Sequence, residues 1–134
     1  NNKTLRLTKN EEIRVNFNKY SKIYIQDWGS VDGDKIGAEI NGEIQNDILL
    51  LKEKIKLPIN KVESSIKLIG LDHGKSPPIT AKITIENKKM GNITIKLLLK
   101  EKESCYIYLT NNFLTKSIKN EKFTFFTFNI YYYF

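Results

Sequence analysis

Apolar and polar residues alternate along most of the chain with a period of two. The alternation is clearest in segments 79–86 and 93–99, where isoleucine, leucine or alanine occupies every second position. A two-residue period is typical of a strand that buries one face. No window shows a sustained helical period. The pattern predicts an all-β domain, an antiparallel β-sandwich of about eight or nine strands with an immunoglobulin-like or jelly-roll-like arrangement.

The stretch SKIYIQDWGSVDGDKIGAEING, residues 21–42, consists of two alternating runs joined by a loop rich in aspartate and glycine. Asn41-Gly42 follows the second run and is a strong hairpin signal, because both residues accept a positive φ. We therefore expect a strand, an acidic loop, a strand and a hairpin. A return strand over 43–51 and an edge strand over 54–59 should follow, since Pro58 cannot donate to a ladder.

The acidic loop holds the most unusual chemistry of the chain. Asp27, Asp32 and Asp34 lie close in sequence, with Gly29 and Gly33 between them. Hard oxygen ligands on a loop are what calcium prefers, and the three carboxylates would form part of a calcium shell. The alternative is that these aspartates cap turns through hydrogen bonds to nearby backbone groups. The spacing does not match an EF-hand.

Other reactive side chains do not form a recognisable catalytic set. Asp72 and His73 have no partner nucleophile in a known sequence context, and His73 fits a polar turn. Cys105 alternates with apolar neighbours and is expected in the core. Trp28 is either a sugar-stacking or interface residue, or cover for the end of the sandwich. We therefore expect no enzymatic activity.

Composition narrows the class of protein. The chain has 22 Lys and Arg, 15 Asp and Glu, and a net charge of +7, but the basic residues are not clustered along the sequence. This pattern favours a solvated lysine surface over a nucleic-acid partner. A single Cys and a single His exclude a Cys/His metal site. No apolar run approaches the length of a transmembrane helix. The start at Asn1 suggests a processed product.

The C-terminal stretch is dense in phenylalanine and tyrosine. We divide the chain into a β-sandwich domain, 1–120, and an aromatic C-terminal strand or docking tail, 121–134. A run this apolar must be covered, by the domain's own sheet, by a partner or by a membrane surface. The tail residues that we expect to make these contacts alternate along it. They are Phe126, Phe128, Tyr132 and Phe134.

Three segments together resemble a domain of secreted and surface proteins of Bacteroidota. They are YIQDWGSVDGDKIGAEING, KEKIKLPI and SSIKLIGLDHGKSPPITAKITI, and they cover about Tyr24 to Ile85. The resemblance implies a small β-sandwich exported beyond the inner membrane, without known catalytic residues. Asp27, Asp32 and Asp34 match the acidic loop of that domain. The chain departs from the pattern at Ile79 and at Asp72-His73.

These observations predict a non-enzymatic, extracytoplasmic β-sandwich module that is secreted, periplasmic or at the cell surface. It would act in adhesion, or as an accessory module or small subunit of a surface or outer-membrane-associated assembly, through protein partners. One alternative is a calcium-dependent carbohydrate-binding domain that uses Trp28 and the acidic loop. Another is a basic structural protein, viral for example, that contacts nucleic acid or an acidic polymer.

Overall fold

A computed structural model describes residues 2–111 and 128–130 of the chain. These residues form twelve β-strands and no helix, so none of them lies in a helix that could cross a membrane. The strands are β1 (Lys3–Leu7), β2 (Glu12–Asn16), β3 (Ser21–Asp27), β4 (Lys35–Ile40), β5 (Glu43–Ile44), β6 (Ile48–Leu49), β7 (Ile55–Lys56), β8 (Ser64–Asp72), β9 (Ile79–Asn87), β10 (Ile93–Leu99), β11 (Ser104–Thr110) and β12 (Phe128–Ile130).

The strands form two sheets that enclose one core. The first sheet has five strands in the order β1-β10-β9-β3-β7. The second has the order β12-β2-β11-β8-β4-β5, and β6 also pairs with β4, which makes seven strands. Alternate side chains of both sheets form a single cluster of buried apolar residues. The all-β sandwich predicted from the sequence is therefore confirmed.

Four connections cross from one sheet to the other at the same end of the sandwich, which we call the arch end. They join β1 to β2, β3 to β4, β8 to β9 and β10 to β11. The strand registers place them side by side, since Asp27 at the end of β3 pairs with Ala81, and Ile79 at the start of β9 pairs with Leu99. Loops distant in sequence are therefore neighbours at the arch end.

The sheets are mixed rather than purely antiparallel, which corrects the expected strand directions. β1 pairs with β10, and β2 pairs with both β11 and β12, in parallel. The reason is that the β1–β2 arch lies alongside the β10–β11 arch and runs in the same direction. The two arches share one type of hydrogen bond, in which a glutamate Oε1 accepts the backbone N–H of the residue three positions earlier. Glu11 accepts from Thr8 at 2.6 Å in the β1–β2 arch, and Glu103 accepts from Lys100 at 2.8 Å in the β10–β11 arch.

Two expected strands are shorter in the structure. Segment 43–51 forms β5 and β6 with a break between them, because each pairs with a separate part of β4. In segment 54–59 only Ile55–Lys56 pairs with β3. In the tail, β12 extends the second sheet beside β2. Phe126, Tyr132 and Phe134 lie outside the described residues.

Candidate functional site

Three aspartates meet at the arch end and form what we call the acidic corner: Asp27, Asp32 and Asp34. Asp27 ends β3, and the other two lie in the loop that leads into β4. One carboxylate oxygen from each residue lies within 4.8 Å of the others. Asp34 is fully buried and Asp27 is 4% exposed. The structure therefore brings together the residues that the sequence grouped.

The carboxylates are oriented by the neighbouring β8–β9 arch. Thr80 donates twice, from its Oγ1 to Asp27 Oδ1 at 3.2 Å and from its backbone N–H to Asp34 Oδ2 at 3.0 Å. Ser76 Oγ donates to Asp32 Oδ2 at 3.2 Å. Each carboxylate thus has one oxygen held by a hydrogen bond from the same loop. These hydrogen bonds connect two arches.

The second oxygen of each carboxylate is buried and has no hydrogen-bond partner among the described residues. These atoms are Asp27 Oδ2, Asp32 Oδ1 and Asp34 Oδ1. No lysine or arginine of the described part of the chain makes an ion pair with them. Buried carboxylate oxygens are normally paired, because an unpaired one costs free energy of several kcal/mol in the ionised form. Three such oxygens therefore lie at the acidic corner.

Burial and mutual repulsion disturb the ionisation of the corner. Burial raises the pKa of Asp34 from 3.8 to about 6, the Thr80 N–H opposes this, and the charges of Asp32 and Asp27 add to it. Burial also raises the pKa of Asp27, against the hydrogen bond from Thr80. The pKa of Asp32 is lowered, chiefly because Asp34 in its protonated form donates a hydrogen bond to it. At neutral pH the corner therefore carries negative charge that no ion pair within residues 2–111 neutralises.

A close backbone contact holds the two arches together at this point. Gly74 has a φ of +62°, and a Cβ at this position would lie 2.1 Å from the carbonyl oxygen of Asp32. That carbonyl accepts the N–H of Lys75 at 3.1 Å. The hydrogen bond from Ser76 depends on this approach, because Ser76 follows directly in the turn. Glycine is therefore required at position 74 for the corner to form.

The corner fits a calcium ion. Calcium binds oxygen ligands at about 2.3–2.6 Å, so ligand atoms on opposite sides of one ion can lie about 5 Å apart. The carboxylate oxygens satisfy this limit. Calcium also uses backbone carbonyls and water. The residues that could hold the ion are Asp27, Asp32 and Asp34.

Trp28 lies beside the corner, on the outside of the first sheet. It is partly buried, and its indole Nε1 has no hydrogen-bond partner within the described segments. The ammonium group of Lys96 lies 4.7 Å from the ring centroid. Lys96 is on β10, two strands away from β3, so the indole extends across the outer surface of the sheet. Trp28 therefore lies against the outer surface of the first sheet and remains partly accessible.

The outer surface of the first sheet is positively charged. We call the outward side of β1, β10, β9 and β3 the basic face. Arg6 pairs with Lys96, and Lys96 pairs with Lys82, so three basic side chains form a row across three strands, the cationic row. The described residues provide no ion-pair partner for any of the three. The sequence does not show this cluster, because strand pairing brings together positions up to 90 residues apart.

At the end opposite the arches, the basic face continues into an open depression of about 800 Å³. Lys19, Tyr20, Lys22, Lys88 and Lys89 contribute to its lining. Tyr20 is half exposed, and two ammonium groups lie near its ring centroid, that of Lys89 at 4.2 Å and that of Lys19 at 5.2 Å. The lysines of this depression thus extend the positive charge beyond the sheet.

The remaining candidates form no site. His73 lies in the β8–β9 turn with its Nδ1 3.1 Å from the Gly74 carbonyl oxygen, and Asp72 Oδ1 accepts the Gly74 N–H at 2.8 Å. Asp72 is the last residue of β8, and His73 lies in the turn that follows it. Cys105 is fully buried, as expected, and burial raises the pKa of its thiol to about 12, so it is not a reactive thiolate. The side chain of Phe128 lies outside the described part of the structure.

Comparisons with protein-family models, with curated proteins and with solved structures give no match for this chain.

Proposed function

We propose that this protein is a non-enzymatic β-sandwich binding module whose acidic corner holds one calcium ion. The ion is supported by two observations: one carboxylate oxygen from each aspartate lies within 4.8 Å of the others, and each aspartate has a buried oxygen without a hydrogen-bond partner among the described residues. A divalent cation would satisfy all three at once. It would also oppose the burial and the mutual repulsion that raise the pKa of Asp34.

The ion would have a structural role. Asp27 and Asp34 are at the ends of β3 and β4, and the corner is hydrogen-bonded to Thr80 and Ser76 of the neighbouring arch. An ion bound to the corner would therefore join two arches that connect the sheets. Ligands that are already oriented by hydrogen bonds bind a metal with less loss of conformational freedom. The arch end would become the most rigid rim of the sandwich.

We propose that the module acts outside the cytoplasm. Its role would be in adhesion, or as an accessory module or small subunit of a surface or outer-membrane-associated assembly. Extracellular calcium modules bind their ion at about 10⁻⁴–10⁻³ M, a range suited to three carboxylates on a loop. The resemblance of Tyr24–Ile85 to an exported β-sandwich domain supports the same location. Protein partners would contact its rims and edge strands.

Calorimetric titration of the chelator-treated full chain with calcium tests the ion. We expect one ion per chain, and no binding to Asp34→Asn, which keeps the side-chain shape and the acceptor for Thr80 but loses charge. Asp47→Asn is the matched control, because Asp47 is exposed and is not one of the three residues of the corner. Equal binding to wild type and Asp34→Asn, or no binding to wild type, would contradict the proposal.

A second function has a specific observation in its favour. Trp28 directly follows the proposed ligand Asp27 and is partly accessible, so calcium would position an aromatic ring that can stack on a sugar. This is the calcium-dependent carbohydrate-binding alternative. It requires that a neutral glycan change the fluorescence of Trp28 in calcium and not in chelator. The absence of any change across a neutral glycan panel would exclude it.

A further inference from the structure

We propose that the basic face binds an anionic polysaccharide, a chain of sugars that carries carboxylate or sulfate groups at regular intervals. This inference goes beyond the calcium module and does not depend on the ion. Its principal evidence is the cationic row, in which Arg6, Lys96 and Lys82 are direct cross-strand neighbours on one side of the sheet. The expected contacts are ionic and run across the strands.

The cationic row is unfavourable in the free protein. Neighbouring strands lie about 4.8 Å apart, and like charges directly opposite one another destabilise a sheet. In register with Arg6, Lys96 and Lys82 the next strand supplies Gln26, which is neutral. Lys96 and Lys82 are partly buried, so water screens them less than it screens free side chains. A ligand with regularly spaced negative groups would remove this repulsion.

A row of hydroxyl groups runs beside the cationic row. Thr4 pairs with Thr94, and Thr94 pairs with Thr84, on the same outward side of β1, β10 and β9. Tyr24 on β3 continues this row, since it pairs with Thr84. Hydroxyl groups beside ammonium groups suit a ligand that carries both hydroxyl and acidic groups. Sugar acids and sulfated sugars have this composition.

The aromatic side chains favour a polysaccharide over single-stranded nucleic acid. Nucleic acid is held on such surfaces by bases that stack on open aromatic rings. Here the rings have lysine ammonium groups over them, Lys54 at 4.3 Å from the Tyr24 centroid and Lys96 at 4.7 Å from the Trp28 centroid. The basic face therefore presents cations rather than open rings. Its recognition of a ligand should depend on charge and hydroxyl groups.

The outer side of the second sheet has a different arrangement of charge. There Glu39 is the register partner of Lys67, and Glu12 is the partner of Tyr106. Opposite charges therefore alternate on that side. On the outward positions of the four strands of the basic face, the single carboxylate is Glu86, and it pairs with Lys54 at 2.5 Å. The positive charge is thus a property of one face of the protein.

Binding to immobilised heparin and polygalacturonate at moderate salt tests the proposal. The variant Lys82→Thr/Lys96→Thr removes two cations of the row and keeps residues that favour strands. Lys35→Thr/Lys67→Thr is the matched control, because it makes the same change in net charge on the second sheet. We expect the first variant to bind at least tenfold more weakly with a shallower salt dependence, and the control to bind within about twofold of wild type.

Four outcomes would overturn the proposal. The first is no binding of either acidic polysaccharide by wild type. The second is an equal loss in both double variants, which would indicate nonspecific attraction to a basic protein. The third is tighter binding of an oligothymidylate than of the polysaccharides, which would make the face a nucleic-acid site. The fourth is a loss of binding in chelator, which would assign recognition to the acidic corner and Trp28 instead.

Discussion

The acidic corner and the basic face are two concentrations of charge that the protein leaves unbalanced, but they differ in burial and in the stiffness of their side chains. The corner's carboxylates are largely buried, and hydrogen bonds from Thr80 and Ser76 orient them. The cationic row consists of long side chains on an open sheet surface, from the exposed Arg6 to the partly buried Lys82 and Lys96.

This difference determines the kind of partner that each region fits. A buried, pre-oriented cluster suits a small ion that several atoms contact at once, and it should discriminate by ion size and charge. An exposed row gains little from each contact and is weakened by salt, so it needs a polymer that makes several contacts. Substitutions at the corner should therefore change the free energy of unfolding by a larger amount than substitutions on the basic face.

The largest effect is expected from the glycine that joins the two arches. Gly74→Ala places a Cβ 2.1 Å from the Asp32 carbonyl oxygen at a positive φ, so both a steric overlap and backbone strain oppose folding. We expect a loss of about 3–4 kcal/mol in the free energy of unfolding, measured by urea denaturation. Gly29→Ala is the control. It also has a positive φ, but nothing lies within 4 Å of its Cβ, and it should lose only about 1–2 kcal/mol.

The second largest effect is expected on the stability that calcium binding adds. At a calcium concentration of 100 times Kd, wild type should gain about 2.7 kcal/mol of stability, and Asp34→Asn should gain none. In chelator the order should reverse, with Asp34→Asn at least as stable as wild type, because the substitution removes a buried charge that lacks a partner. Thermal unfolding with and without calcium measures both. An equal calcium response in the two proteins would show that the corner is not the site.

The pH dependence of the metal-free protein should be somewhat smaller. The folded pKa of Asp34 is about 6, above the ordinary 3.8, so the folded state binds this proton more tightly than the unfolded state. The contribution of Asp34 to stability should therefore be lost as pH rises from about 4 to 6, by an amount of order 2 kcal/mol. Urea denaturation of wild type and Asp34→Asn across this range isolates it. A constant difference between the two proteins would contradict the raised pKa.

The smallest effect is expected on the basic face. Lys82→Thr removes the cation at one end of the cationic row, directly opposite Lys96, so the free protein should become more stable by about 0.2–1 kcal/mol at low salt. High salt should abolish the gain, because it screens the repulsion. Thermal unfolding at two salt concentrations measures it. Lys67→Thr on the second sheet should be destabilising or neutral, since Lys67 lies opposite Glu39.

Local sequence pattern was sufficient to predict the class of fold and the members of the acidic corner. Alternation identifies each long strand and its buried side, which is why Cys105 and the isoleucines were correctly placed in the core. Asp27, Asp32 and Asp34 belong to one loop, so their proximity follows from the turn itself. Their hydrogen-bond donors do not, since Ser76 and Thr80 come from another arch.

The basic face could not be predicted, because it depends on which strands are neighbours. The alternation shows that Lys82 and Lys96 point outward, but not that Arg6 joins them. That requires the parallel pairing of β1 with β10, and antiparallel neighbours were expected throughout. The sequence does show lysines at outward positions of successive strands. Only the strand order shows that these lysines lie side by side on one surface.

Terbium luminescence tests the calcium site most directly, because Trp28 is the only tryptophan of the chain and follows Asp27. Terbium replaces calcium at oxygen sites, and an indole a few ångströms away sensitises its emission when tryptophan alone is excited. We predict that wild type shows terbium emission and that added calcium abolishes it by displacing the terbium. Asp34→Asn should lack this emission, and Asp47→Asn should retain it. Wild-type emission no stronger than that of Asp34→Asn would contradict a cation site at the acidic corner.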